Sequence, residues 1–191
     1  MLGRTGNYPR YLSMIQQAQE IDPYSPVITL NVGVAHFLLG HYEDALGYLK
    51  KCVELDPSFA SGYAWTGLIY ERMKNYQDAL PQLQKAVELS GRSSECLSYL
   101  GYFYGRVGKR DEALKLVKEN EDRYHAGTGA AYNIARIYAG LGDKKNALEW
   151  LELDYNDRST WINSLISDYV WDDVRSHPRF VELTKKVGLV R

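Results

Sequence analysis

A chain of 191 residues is enough for one ordinary domain or a short array of repeats. With 23 basic and 24 acidic residues and a net charge of −1, it carries no electrostatic footprint for nucleic acid or an anionic membrane surface. The 45% hydrophobic share excludes wholesale disorder, no apolar run approaches the length that spans a bilayer, and the opening "MLGRTGNYPR" lacks the apolar core of a signal peptide.

In chain order, hydrophobic spacing predicts helices over 8–20, 26–39, 42–55, 60–73 and 76–89. It then predicts 94–107, 110–123, 128–141 and 144–154. Asp-Pro at 22–23 and again at 56–57 ends one unit and opens the next, because the residue before proline is pushed away from helix. Pro81 falls inside the 76–89 helix, where it should remove a backbone bond to residue 77 and bend or fray the helix start.

These helices repeat. "LGHYEDAL" (39–46) returns as "MKNYQDAL" (73–80), "VGKRDEAL" (107–114) and "LGDKKNAL" (141–148). Ala45, Ala79, Ala113 and Ala147 stand 34 residues apart, each followed by leucine. With Ala and Leu each at roughly a tenth of residues, three further matches in register have odds on the order of one in a million. Gly33, Gly67, Gly101 and Ala135 share another phase, as do His36, Tyr70, Tyr104 and Tyr138. Gly40, Gly108 and Gly142 share a third, with Lys74 the exception. The small residues let two helix backbones approach closely, and the glycines of the third phase suit the left-handed end of a helix. The recurring word is therefore architectural: a turn and the start of a second helix.

Both ends depart from the period. "GNYPRYLSMIQQAQEIDP" (6–23) aligns with "GHYEDALGYLKKCVELDP" (40–57), Gly6 on Gly40 and Pro23 on Pro57. This is a second helix whose partner is nearly missing, with only Met1–Thr5 to serve as that partner's tail. It predicts an uncovered apolar face and a chain cut from a longer protein. After residue 156 the period stops, and 159–189 reads as two or three short helices with Trp161, Leu165, Ile166, Trp171, Val174, Phe180, Leu183 and Val187 on their apolar side. Solenoids need such a terminal cap.

A period of 34 with "TLNVGVAH" (29–36), "YAWTGLIY" (63–70), "LSYLGYFY" (97–104) and "AYNIARIY" (131–138) resembles the tetratricopeptide repeat family. The resemblance implies an all-α solenoid of antiparallel helix pairs. An N-terminal half repeat spans 1–25, four full repeats span 26–157, and a helical cap spans 158–191. Asn120 and Asp154 stand where a small residue is usual, so those second helices should end differently. The segment around Arg175–Phe180 is similar to tetratricopeptide regions appended to bacterial winged-helix regulators, nucleotide cyclases or Ser/Thr kinases.

No catalytic constellation emerges. "GRVGK" (105–109) fails as a phosphate loop, with Phe103 in the place of the first glycine and Arg110 in the place of Ser/Thr. Neither HExxH nor Gly-x-Ser-x-Gly occurs. The carboxylate pairs Glu43/Asp44 and Asp111/Glu112 begin second helices, where acids suit the helix dipole. Cys52 and Cys96 read as small buried hydrophobes, and the four histidines form no ligand-spaced cluster with them. The expectation is a non-enzyme without metal or cofactor.

In the resembling family, first helices line a concave groove. Carried over by repeat position, that groove holds Trp65, Leu68 and Arg72 from repeat two and Tyr99, Tyr102 and Arg106 from repeat three. Repeat four adds Tyr132, Asn133 and Arg136. Trp, Tyr and Arg are the residue types that anchor protein interfaces. The plain alternative is that Tyr99 and Tyr102 cover the neighbouring first helix, and that Val27, Leu30 and Val34 pack on the half repeat. The family's Lys/Asn clamp for a peptide carboxylate is absent, since its positions hold Leu30, Val34, Trp65, Glu95 and Tyr99. The function expected is a protein- or peptide-binding module, the sensor or scaffold region of a larger bacterial signalling or regulatory protein, with homodimerisation as the alternative. The compartment expected is the cytoplasm, or the periplasm if the parent is a membrane-bound regulator.

Overall fold

The computed structural model describes residues 7–189. Met1–Gly6, which hold the supposed tail of a missing helix and the Gly6 match, lie outside the described residues. By contact the chain divides into two compact units, one to Arg92 and one from Ser93. The division falls inside the four-repeat array rather than at its ends.

The first unit contains α1 (Tyr8–Ile21), α2 (Pro26–Leu38), α3 (Tyr42–Leu55), α4 (Ala60–Arg72) and α5 (Tyr76–Leu89). Each packs on the next in sequence within the unit. Ala45, Leu49, Cys52, Ala79, Leu83 and Ala86 face inward from the second helices. Val32, Ala35, Ala64, Leu68 and Ile69 of the first helices are buried as well. α5 runs unbroken through the exposed Pro81. A proline this near a helix start costs one backbone bond without breaking the element.

The second unit contains α6 (Ser94–Arg106), α7 (Arg110–His125), α8 (Ala131–Gly140), α9 (Lys144–Asn156), two 3₁₀ turns at Thr160–Ser164 and Tyr169–Trp171, and α10 (Pro178–Lys186). Predicted and observed helix bounds agree closely except at α8, which starts three residues later than 128. α7 runs to His125, and Gly127 then takes a left-handed φ of 74°. Gly129 sits tight beneath Ser94, where an added Cβ would lie 3.1 Å from the Ser94 hydroxyl. This loop occupies the residues the period assigned to helix.

The repeated word is a helix stop followed at once by a helix start. The amide of His41 donates to the His36 carbonyl (3.0 Å), that of Asn75 to Tyr70 (2.8 Å), that of Lys109 to Tyr104 (2.8 Å) and that of Asp143 to Tyr138 (3.0 Å). These are the six-to-one bonds of a Schellman C-terminus. The left-handed residue within each is Gly40 (φ 81°), Lys74 (61°), Gly108 (78°) or Gly142 (71°). Lys74, the exception in the sequence column, thus adopts the glycine conformation regardless.

The cap closes the second unit. Trp171, Leu165, Phe180 and Leu183 are buried against Tyr132, Ala135, Leu148 and Leu151 of α8 and α9. Ile162 and Val170 join them, which sequence spacing did not pick out. Arg175, His177, Arg179 and Phe180 of the Arg175–Phe180 word have structural contacts. Arg175 donates to the carbonyls of Leu165 (3.1 Å) and Asp168 (2.9 Å), and His177 caps α10. Arg179 makes a bidentate pair with Glu152 at 2.8 and 2.9 Å, whose hydrogen bonds hold that carboxyl below its ordinary range. No helix among the described residues is long and apolar enough to cross a membrane.

Candidate functional site

The nine residues assigned to the groove do not form one exposed surface. Within the first unit Leu68 is buried, while Trp65 is half-buried with its ring edge-on to Phe37 at 5.8 Å. Arg72 is exposed. Within the second unit Tyr99, Tyr102, Tyr132, Asn133 and Arg136 are all buried. Arg106 is exposed and lies 3.5 Å from Asp173 of the cap. Leu68, Tyr99, Tyr102, Tyr132 and Arg136 are therefore buried in this structure rather than open to a ligand, while Asn133, also buried, still lines a shallow groove. In the second unit the cap and the packing of α6 on α8 cover these positions.

Arg136 is the hub of the buried set. Its side chain is 3% exposed. Nη1 donates to the Ser98 hydroxyl (2.6 Å) and the Asn133 Oδ1 (3.3 Å), and Nη2 to Asp168 Oδ2 (3.3 Å). The guanidinium stacks between the rings of Tyr99 (4.3 Å) and Tyr132 (5.1 Å). Asp168 Oδ2 also accepts from the Tyr132 hydroxyl (3.0 Å), which in turn accepts from Trp171 Nε1 (2.7 Å). Burial opposes the Arg136 charge, but Tyr99 and Asp168 outweigh it and the net shift of its pKa is upward. Burial pushes the Tyr99 and Tyr132 phenols well above their ordinary range. The ensemble locks a cation into the joint between α6, α8 and the cap. A buried charge is tolerated only when paired and hydrogen-bonded, as here.

Three of the four residues in the column Cys52, Ala86, Asn120 and Asp154 share a role. Each polar member reaches the first turn of its own repeat's first helix. Cys52 Sγ donates to the Pro26 carbonyl (3.2 Å), Asn120 accepts from the Ser94 hydroxyl, and Asp154 Oδ1 accepts from the Tyr132 amide (3.0 Å). α8 has no side-chain cap of its own, so Asp154 supplies one from α9. Burial pushes the Asp154 carboxyl up to about 6 and the Cys52 thiol up to about 11. Both cysteines are buried and free.

The second unit carries a shallow groove of about 490 Å³ over the starts of α6 and α8. Glu95, Thr128, Asn133, Thr160 and Trp161 are among its lining residues. In the first unit, His36, His41 and Asp44 place their ligand atoms within 4.8 Å of one another, the one such group among the described residues. Sequence spacing does not reveal this group, because the turn folds His41 back over His36, with ring centroids 5.9 Å apart.

Residues 30–59 match a tetratricopeptide repeat family profile, and residues 60–92 and 128–153 match a second one. The repeat that carries Asn120 lies between those ranges. No curated protein matches the chain. Among solved structures it is similar to TTC0263, a thermophilic TPR protein of Thermus thermophilus, at 20% identity and TM-score 0.63, covering 96% of this chain and 90% of that one. It is similar to MamA at 22% identity and TM-score 0.51, covering 80% and 90%. A chain of the APC/C hetero-tetramer Cut9–Hcn1 aligns at 14% identity and TM-score 0.64, covering 98% of this chain and 38% of that one. At these identities the likeness is one of fold.

Proposed function

Because this chain is a tetratricopeptide repeat protein, we propose that it is a non-catalytic module that binds a protein or peptide. The observation that carries the reading is α4. Trp65 and Arg72 stand two turns apart on one face of that helix, Arg72 exposed and Trp65 half-exposed. These are residue types that anchor interfaces, and a guanidinium suits a carboxylate or phosphate on the partner. Fold alone does not assign a function, so the reading rests on this face and on the repeat class. The finer assignment, the sensor or scaffold region of a larger bacterial signalling or regulatory protein, rests on the similarity of the cap segment.

The test is a pull-down with the wild type, Trp65→Ala/Arg72→Ala and Trp161→Ala side by side, each checked by circular dichroism. A partner lost only from the α4 double variant supports the reading. A partner retained by that variant and lost from Trp161→Ala moves the site to the groove of the second unit.

A second reading is self-association through α1. Met14 and Ile21 lie seven residues apart on that helix at 52% and 87% exposure. Sedimentation that stays monomeric from micromolar to millimolar concentration sinks this reading.

A further inference from the structure

We propose that His36, His41 and Asp44 form a site for a divalent transition metal, with Zn²⁺ as the fitting ion. The Schellman turn creates it. His36 stands in the last turn of α2, and His41 is at once the residue whose amide closes back on the His36 carbonyl and the N-cap of α3. Asp44 follows in the first turn of α3. Three ligands thus converge from two helix ends joined by the three residues Leu39–His41.

Four observations favour a ligand here over simple packing. Both ring nitrogens of His36 are buried and have no hydrogen-bond partner. A buried imidazole normally satisfies at least one of them, so this ring presents a donor atom with nothing to bind. His36 Nδ1 lies 3.8 Å from Asp44 Oδ2, too long for a hydrogen bond and close to the edge of a metal tetrahedron. The His41 side chain makes no capping bond to α3, so it is available. The ring of His36 is held by stacking on Tyr48, with centroids 5.2 Å apart.

The same turn in the other repeats lacks this set. The equivalent positions hold Tyr70, Asn75 and Asp78, then Tyr104, Lys109 and Glu112, then Tyr138, Asp143 and Asn146. Asn75 there bonds Asp78 at 2.7 Å, and Asp143 caps α9. The first repeat alone replaces phenol and cap by two imidazoles.

The chemistry suits zinc. Zn–N bonds of roughly 2.0–2.1 Å and Zn–O bonds of about 2.0–2.2 Å place tetrahedral ligand atoms roughly 3.4 Å apart. Ligand atoms within 4.8 Å of one another reach that geometry by rotation of His41 and Asp44, both exposed. Two imidazoles and one carboxylate leave the fourth position to water. The carbonyl end of α2 favours a cation and the amide end of α3 opposes it, so Asp44 supplies the deciding charge. Bound metal would clip α2 to α3 and raise the stability of the first unit by mass action.

The test uses the full chain stripped with a chelator. Zn²⁺ is titrated against a chromophoric competitor, with Co²⁺ absorption as a probe of geometry and thermal melting as a second readout. His36→Tyr installs the side chain that the other repeats carry, so folding is retained while a ligand is lost. Expected are one Zn²⁺ per chain at micromolar Kd, an intense tetrahedral Co²⁺ band and a raised Tm. Each should vanish in His36→Tyr and weaken at least tenfold in His41→Ala and Asp44→Ala. The proposal is overturned by no saturable binding at 100 micromolar Zn²⁺. It is equally overturned by binding that survives His36→Tyr, which would place the ion on other side chains.

Discussion

Lys74 holds a φ of 61° in a column otherwise filled by glycine. A non-glycine residue pays roughly 1–2 kcal/mol for that conformation, partly offset by the backbone entropy that glycine loses on folding. Lys74→Gly is expected to stabilise the chain by about 1 kcal/mol, read as a higher urea midpoint with unchanged slope. Asp154 is the second residue where local chemistry and fold disagree. Its carboxyl is raised from 3.8 to about 6, chiefly by burial. Between those values the folded chain holds a proton that the unfolded chain has released, so this group's contribution to stability falls as pH rises through the window. Asp154→Asn keeps an oxygen for the Tyr132 amide, as Asn120 keeps one for Ser94, and removes the buried charge. It should be more stable than wild type by about 1–3 kcal/mol at roughly pH 8 and equal to it near about pH 4, measured by chemical denaturation at both.

At the scale of elements, helix approach sets the tolerances. A Cβ on Gly67 would lie 2.6 Å from Leu83 Cγ and 3.1 Å from the Ala79 carbonyl. A Cβ on Gly140 would strike the backbone of Tyr102, and one on Gly105 would lie 2.5 Å from the Gly140 carbonyl carbon. Side chains yield more readily than backbone. Gly67→Ala should therefore cost about 1–3 kcal/mol and Gly140→Ala about 3 kcal/mol or more, with thermal melting as the check. Gly140 stands in repeat register with Arg72 and Arg106, but here it is where α8 touches α6 at Gly105. The same contact explains why Tyr102 and Arg136 are buried: two first helices this close leave no room for a ligand between them. Arg136→Ala would strand Asp168 and unpack Tyr99 and Tyr132, at an expected cost of about 3–5 kcal/mol.

At the scale of the molecule, the core of the second unit is completed by the cap. Trp171 and Leu165 are fully enclosed, and their loss would bare Tyr132, Leu148 and Leu151. Single Trp or Phe truncations in a core cost about 3–5 kcal/mol, against a total stability of about 5–15 kcal/mol. A chain ending at residue 157 should therefore lose cooperative melting of its second unit and bind a hydrophobic dye. Retained two-step melting would show that the repeats stand without the cap.

Period and composition determined the helices, their order and the turns. Hydrophobic spacing, Asp-Pro breaks and a left-handed glycine act within a few residues, so they are legible one window at a time. The all-α repeat class, the Schellman turns, the cap and most of its apolar side were readable in this way. The candidate site was not. Trp65 and Tyr99 occupy the same repeat position, yet one is half-exposed and the other buried, because the Arg136 stack and the Gly105–Gly140 contact exist only in three dimensions. The start of α8 escaped because its cap comes from Asp154, 22 residues on. The histidine group escaped because a turn, and no spacing rule, folds His41 over His36. Local propensity acts along the chain. Burial and convergence are decided by which segments meet, and that depends on the whole packing.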